Sequence, residues 1–178
     1  MVFVARIGGH TMKKIIILVH DKVEDMEVNY PYYRLIEAGF VVDIVGEKEG
    51  AVYYGKYGYP TKATKSFENI DYKNYDGIII PGGYAPDRLR RYERVLEMVK
   101  YFDDSKKPVG QICHAGWVCI SAKIFKGRKA TSFFAIKDDL VNAGAKWIDK
   151  AVVVDKNLVS AQTEKDLPEF MEEFLKLL

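Results

Sequence analysis

Ile15-Ile16-Ile17-Leu18-Val19 is an unbroken aliphatic run preceded by Lys13-Lys14 and followed by His20-Asp21. Five residues are too few for a stable helix, and nothing in the run alternates polar with apolar. A strand of this kind must be covered on both faces, which is the condition of a parallel sheet. Ile78-Ile79-Ile80 after Asp76-Gly77, and Val109 to Ile112 after Pro108, repeat the pattern. Parallel strands need crossovers, usually helical, so the segments between these runs must supply helices.

They do. A helical stretch runs from about Asp25 to Ala38, contains Pro31 and closes at Gly39, and Val41 to Val45 reads as the next strand. Tyr53 to Pro60, rich in Tyr and Gly, reads as a turn or small hairpin. Leu89, Tyr92, Val95, Leu96, Val99 and Phe102 recur at helical spacing and predict one long helix, with the arginines and Glu93 on its opposite face. Ile136 to Ala143 looks helical and stops at Gly144. Val152 to Val154 and Leu158 to Ser160 flank Asp155-Lys156-Asn157 as a hairpin. Asp166 with Glu169 resembles a capping box ahead of the apolar stripe Leu167, Phe170, Met171, Phe174, Leu175 and Leu178. The order predicts an α/β, flavodoxin-like three-layer sandwich, a mostly parallel sheet with helices on both faces. Residues 13–178 form a single domain, and residues 1–12 read as an N-terminal extension.

Composition narrows the function. At 178 residues with 48% hydrophobic content the chain fills one core without metal or disulfide staples. With 27 Lys+Arg against 25 Asp+Glu the net charge is +2, too balanced for a dedicated nucleic-acid binder. The tight basic cluster Arg88, Arg90, Arg91 and Arg94 reads as a solvated helix face. No apolar run approaches the ~18 residues of a membrane span. Two cysteines without a disulfide framework, and no secretory leader pattern, place the expectation in a reducing cytoplasm.

Parallel α/β sheets react at the carboxyl ends of their strands, which directs attention to the loops after Val19, Ile80 and Ile112. Cys113-His114-Ala115-Gly116 stands where the third strand must turn into a helix. A thiol on such an elbow projects its sulfur toward the N–H groups of the helix start, which favours thiolate. The bland alternative for a cysteine in an apolar run is a small buried hydrophobe, and Cys119 is assigned to it. Gly82-Gly83 provides a second turn, and the N–H of Gly83 with that of His114 or Ala115 would form an oxyanion pocket. Glu24 is the expected carboxyl partner of the sulfur, and it must be mostly protonated to stabilise thiolate rather than repel it. The bland alternative for Glu24, Asp25 and Glu27 is a solvated, dipole-favoured helix start. His10, His20 and His114 show no paired ligand motif, so no metal site is expected. Neither a GxGxxG nor a Walker-type loop is present.

VEDMEV at 23–28, YPYYRL at 30–35, GKYGYP at 55–60, IIIPGGYAPDRLR at 78–90, ICHAGW at 112–117, GRKATS at 127–132 and IKDDLVNAGAKWID at 136–149 resemble, in order, the PfpI-type intracellular cysteine proteases. That family shares a superfamily with protein deglycases, cofactor-independent glyoxalases and class I glutamine amidotransferase domains. The resemblance implies Cys113 as elbow nucleophile, Glu24 as its carboxyl partner, His114 as acid–base residue and Gly83 with His114 as oxyanion donors. It further implies that Asp87, standing where the protease branch usually carries Glu, orients the histidine of an adjoining subunit in a homodimer or hexamer. Ala115-Gly116 replaces the Gly-Pro common after the histidine, and Gln162 stands where related chains often have Arg.

The leading expectation is therefore a cytoplasmic cysteine peptidase that needs no cofactor and acts on peptides. The first alternative keeps the nucleophile but attacks a small dicarbonyl as a glyoxalase or deglycase. The second is a redox sensor or stress holdase, because a reactive exposed thiol also oxidises readily.

Overall fold

The computed structural model describes residues 12–178; the expected extension, including His10, lies outside them apart from Met12. The elements in chain order are β1 (Lys14–Leu18), α1 (Asp25–Glu37), β2 (Val41–Gly46), β3 (Val52–Tyr54), β4 (Pro60–Lys62), β5 (Lys65–Ser66), β6 (Gly77–Ile80), α2 (Ala85–Leu89), α3 (Glu93–Asp104) and β7 (Val109–Ile112). There follow α4 (Gly116–Ser121), β8 (Lys129–Ala130), α5 (Lys137–Asn142), β9 (Lys146–Trp147), β10 (Val152–Asp155), β11 (Leu158–Ala161) and α6 (Leu167–Lys176).

Seven strands make the central sheet in the order β10-β11-β7-β6-β1-β2-β5. All its pairings are parallel except the β10–β11 hairpin. The three aliphatic runs occupy its middle, and Ile15 to Val19 and Ile78 to Ile80 are wholly buried. Helices α1 and α6 pack together on one face, and α3 and α4 on the other. The expected mostly parallel three-layer sandwich is the observed one. Fully burying each of those isoleucines contributes about 1.5–3 kcal/mol, so the middle strands are the most stable part of the frame.

Chain order places the crevice. From β1 the chain runs outward to β2 and β5, then returns across β1 to β6 and continues to β7 on the other side. Parallel sheets take ligands at such a reversal, outside the carboxyl ends of the strands. Adjacent strands β1, β6 and β7 therefore bring the loops after Leu18, Ile80 and Ile112 together.

Two local expectations are corrected. The predicted long helix is two: α2 ends near Arg90 and α3 begins after Tyr92, which has extended backbone (φ −93°, ψ 113°). The Tyr92 ring packs against Phe67 and His20, and that inward turn interrupts the helical pattern. At the C-terminal end the cap is Thr163 rather than Asp166. The Asp166 carboxylate accepts the Thr163 N–H at 2.8 Å and serves as the third residue of the box. Among the described residues no helix is long and apolar enough to cross a membrane.

Candidate active site

Cys113 directly follows β7 with φ of 60°, a left-handed conformation that side-chain-bearing residues adopt rarely and at a cost. The chain then makes a tight turn over Cys113–Ala115 and enters α4. The Phe133 N–H donates to the Cys113 carbonyl at 3.1 Å and fixes the turn from outside. The expected elbow is present, and its sulfur lines a cleft of about 480 Å³.

The N–H groups of Gly83 and His114 both reach that sulfur. Gly83 is brought there by the loop after β1: it bridges Val23, and the Glu24 N–H donates to the Gly82 carbonyl at 3.2 Å. With φ of 73°, and a position where any Cβ would overlap the Glu24 amide nitrogen, residue 83 must be glycine. Of the N–H groups expected to form an oxyanion pocket, those of Gly83 and His114 are the two that converge on the sulfur. Ala115 is fully buried beneath the turn, and Gly82 is buried behind the cleft wall.

The carboxyl partner differs from the expectation. Glu24 caps α1, accepting the Met26 N–H at 3.3 Å, and its other oxygen binds the Lys56 ammonium at 3.0 Å. Glu27, one turn further in, is fully buried and accepts the Gly82 N–H at 2.6 Å. A Cβ on Gly82 would lie 2.6 Å from Glu27 Oε2 and 2.7 Å from Cys113 Cβ, so carboxyl and nucleophile flank the same point. Glu27 Oε1 is buried without a hydrogen-bond partner among the described residues. Burial pushes the Glu27 carboxyl up to about 8, against the pull of the Gly82 N–H. At neutral pH Glu27 therefore keeps its proton and can donate it. A carboxyl that keeps its proton, as argued for Glu24, is found at Glu27 instead, while Glu24, also buried in the cleft, is engaged by the Lys56 cation.

Asp25, the third acid of this segment, accepts the N–H groups of Tyr57 and Tyr59 at 2.9 Å each and pins the 55–59 loop. Each acid thus has its own partner, and the reading of all three as a solvated helix start is overturned.

The thiol is not depressed as the elbow alone suggests. Burial first, and then the negative charge of ionised Glu27, push Cys113 up to about 12 against the downward pull of the Gly83 and His114 N–H groups. Below about pH 8 the Glu27 contribution is absent, since that carboxyl is then neutral.

His114 Nδ1 lies 3.2 Å from Cys113 Sγ. The ring stacks on Phe133 at 5.1 Å and meets Trp117 edge-on at 5.2 Å, and burial, then the Lys56 charge, holds it below the usual histidine range. A neutral imidazole in hydrogen-bond reach of a thiol is a competent base. Asp87 is not its partner within one chain: it is exposed on α2 and paired with Arg91.

Sequence reasoning gave no role to Lys56, Trp117 and Phe133, nor to Thr163, Glu164 and Lys165 from the turn before α6, all of which line the cleft. Gln162 instead binds Thr131 and Asp149. His20 is buried, accepts the Asp21 N–H at 2.8 Å and touches the Tyr92 hydroxyl. Cys119 is fully buried, as expected of a core residue. Among the described residues no group of three or more His, Cys, Asp or Glu could hold a metal. A larger, shallower hollow of about 680 Å³ along α1 contains no nucleophile.

The chain matches the DJ-1/PfpI family model over residues 13–177. It is 43% identical over 165 residues to the Pyrococcus furiosus protein named deglycase PfpI, covering 93% of this chain and 99% of that one. A Bacillus subtilis relative named putative cysteine protease YraA is 40% identical, over 93% and 98% of the two chains. Among solved structures, an Anabaena variabilis two-domain protein with DJ-1/ThiJ/PfpI-like and ferritin-like domains superposes with a TM-score of 0.90 at 36% identity. The match covers 92% of this chain and 47% of that one. A point mutant of Schizosaccharomyces pombe DJ-1 gives 0.85 at 25% identity, over 93% and 91%.

Proposed function

Because the chain belongs to the DJ-1/PfpI family, we propose that it is a cofactor-free carbonyl enzyme acting as a deglycase or glyoxalase, with Cys113 as nucleophile. One observation carries this reading: the buried, proton-bearing carboxyl of Glu27 beside the sulfur, with one oxygen unpartnered. Peptide hydrolysis needs no second acid there, whereas moving a proton between adjacent carbons needs a carrier that titrates near neutrality. Relatives from Pyrococcus and Thermococcus named deglycases support the same choice.

The chemistry follows from the geometry. As Sγ bonds to the aldehyde carbon of a dicarbonyl, His114 Nδ1 takes the thiol proton and the carbonyl oxygen takes the Glu27 proton while held by the Gly83 and His114 N–H groups. Glu27, now ionised, removes the hydrogen of that carbon as a proton, and His114 protonates the neighbouring carbonyl oxygen. The enediol collapses when Glu27 returns its proton to the second carbon and His114 takes one from the first hydroxyl. Water hydrolyses the thioester, restoring thiol and carboxyl and releasing a 2-hydroxy acid. One carbon is oxidised and its neighbour reduced, so no outside oxidant enters. With an amine adduct as substrate, the amine is released as well.

A second reading, cysteine peptidase, draws on the Bacillus relative and on exposed Asp87. In a homodimer or hexamer Asp87 of another copy would orient His114, which would then protonate the departing amine. Two free cysteines suit a reducing cytoplasm for either reading.

Methylglyoxal incubation distinguishes them. Lactate should accumulate with the parent protein and fall at least about 100-fold in Cys113→Ser and in Glu27→Gln. Peptide cleavage without lactate formation by purified protein would reverse the choice.

A further inference from the structure

Lys56 is a cation of the cleft that the mechanism leaves unused. Its backbone is fixed twice over: its own N–H donates to the Val23 carbonyl at 2.8 Å, and Asp25 holds the N–H groups of Tyr57 and Tyr59 beside it. Its ammonium sits 3.0 Å from Glu24 Oε2 and 5.0 Å from the Tyr57 ring centroid. An ammonium has three donors. Glu24 takes one, and the residue lines the cleft together with Cys113.

We infer that Lys56, tethered on Glu24, is the counter-charge that stabilises the anion formed at Cys113. The inference rests on the proposed function only in taking Cys113 as the reacting atom. Several titratable groups line the cleft with this cation: Glu24 capping α1 and Glu27 within it, exposed Tyr84 after Gly82-Gly83, Cys113 and His114 from the elbow, and exposed Glu164 and Lys165 before α6; Tyr57, on the same loop, lies under the ammonium. Of these, Glu27 is neutral below about pH 8, and the Glu164–Lys165 pair stands in solvent, where opposite charges are screened. Lys56 is therefore the cation that acts on the sulfur, and its charge pulls down both Cys113 and His114. A cation so placed favours thiolate and disfavours imidazolium, the combination a thiol nucleophile with a neutral base requires.

The test follows the rate of Cys113 alkylation by iodoacetamide from pH 5 to 10, the rising limb of the profile below the raised thiol titration, and needs no substrate turnover. Lys56→Met should lower the rate along that limb about tenfold. Lys56→Arg should return it to within about twofold of the parent, since it keeps the charge. Glu24→Gln, which frees Lys56 from its opposing charge and keeps an oxygen for the Met26 N–H, should raise it about threefold. General damage to the site would shift both neutralising variants the same way. An unchanged profile in Lys56→Met, a same-direction shift in Glu24→Gln, or failure of Arg to restore the parent profile would each overturn the inference. Loss of lactate formation with these shifts intact would instead overturn the proposed reaction.

Discussion

Glu24 and Glu27 lie three residues apart on one helix, so both face the same side, and helical phase alone cannot choose between them. Depth chooses. Glu24 is the N-cap residue and meets Lys56, whereas Glu27 is a turn further in, fully buried and bonded to Gly82. The consequence for Cys113 has a sign. Below about pH 8 the Glu27 carboxyl is neutral and puts no charge beside the sulfur; above it, the carboxylate repels thiolate. Glu27→Gln keeps an amide donor and removes the charge. Its alkylation by iodoacetamide should match the parent within about threefold at pH 6.5 and exceed it about tenfold at pH 9. Equal rates at pH 9 would mean that the Glu27 charge is not felt at the sulfur.

The elements were legible in proportion to how local their causes are. Aliphatic runs gave the middle strands because burial on both faces leaves no other pattern, and Cys113-His114 after such a run gave the elbow. What escaped depends on contacts distant in sequence. Tyr92 interrupts the predicted helix because its ring turns toward Phe67 and His20, and Lys56 joins the site because Asp25 pins its loop from 32 and 34 positions away. Removing that pin tests the dependence. Asp25→Ala leaves two N–H groups without acceptors and should cost about 2–4 kcal/mol in denaturant unfolding. It should also open the 55–59 loop to limited proteolysis in the folded protein. The turn after β6 is equally specific: Gly82→Ala places a methyl between the Glu27 carboxyl and the Cys113 side chain. Cys113 alkylation and turnover should change by more than tenfold in that variant while far-UV circular dichroism remains that of the parent.

A buried acid beside the nucleophile also marks the stability of the whole molecule. In the unfolded chain a glutamate titrates near 4.3, whereas Glu27 in the folded protein titrates at about 8. Between these values the folded state retains a proton that the unfolded chain has released, so stability falls as pH rises and levels off above about 8. Glu27→Gln keeps an acceptor for the Gly82 N–H and removes the titration. Its advantage over the parent should be small near pH 4.5 and grow toward pH 8, reaching on the order of 3–5 kcal/mol. Cys113, also raised in the folded state, adds a loss of the same sign at higher pH, so the comparison belongs between pH 4.5 and 8. Guanidinium midpoints of the two proteins at pH 5, 6.5 and 8, with equal m-values, provide the measurement. A difference that stays constant across that range would mean that Glu27 is already ionised in the folded protein. The proton that the proposed reaction shuttles would then have to come from another group.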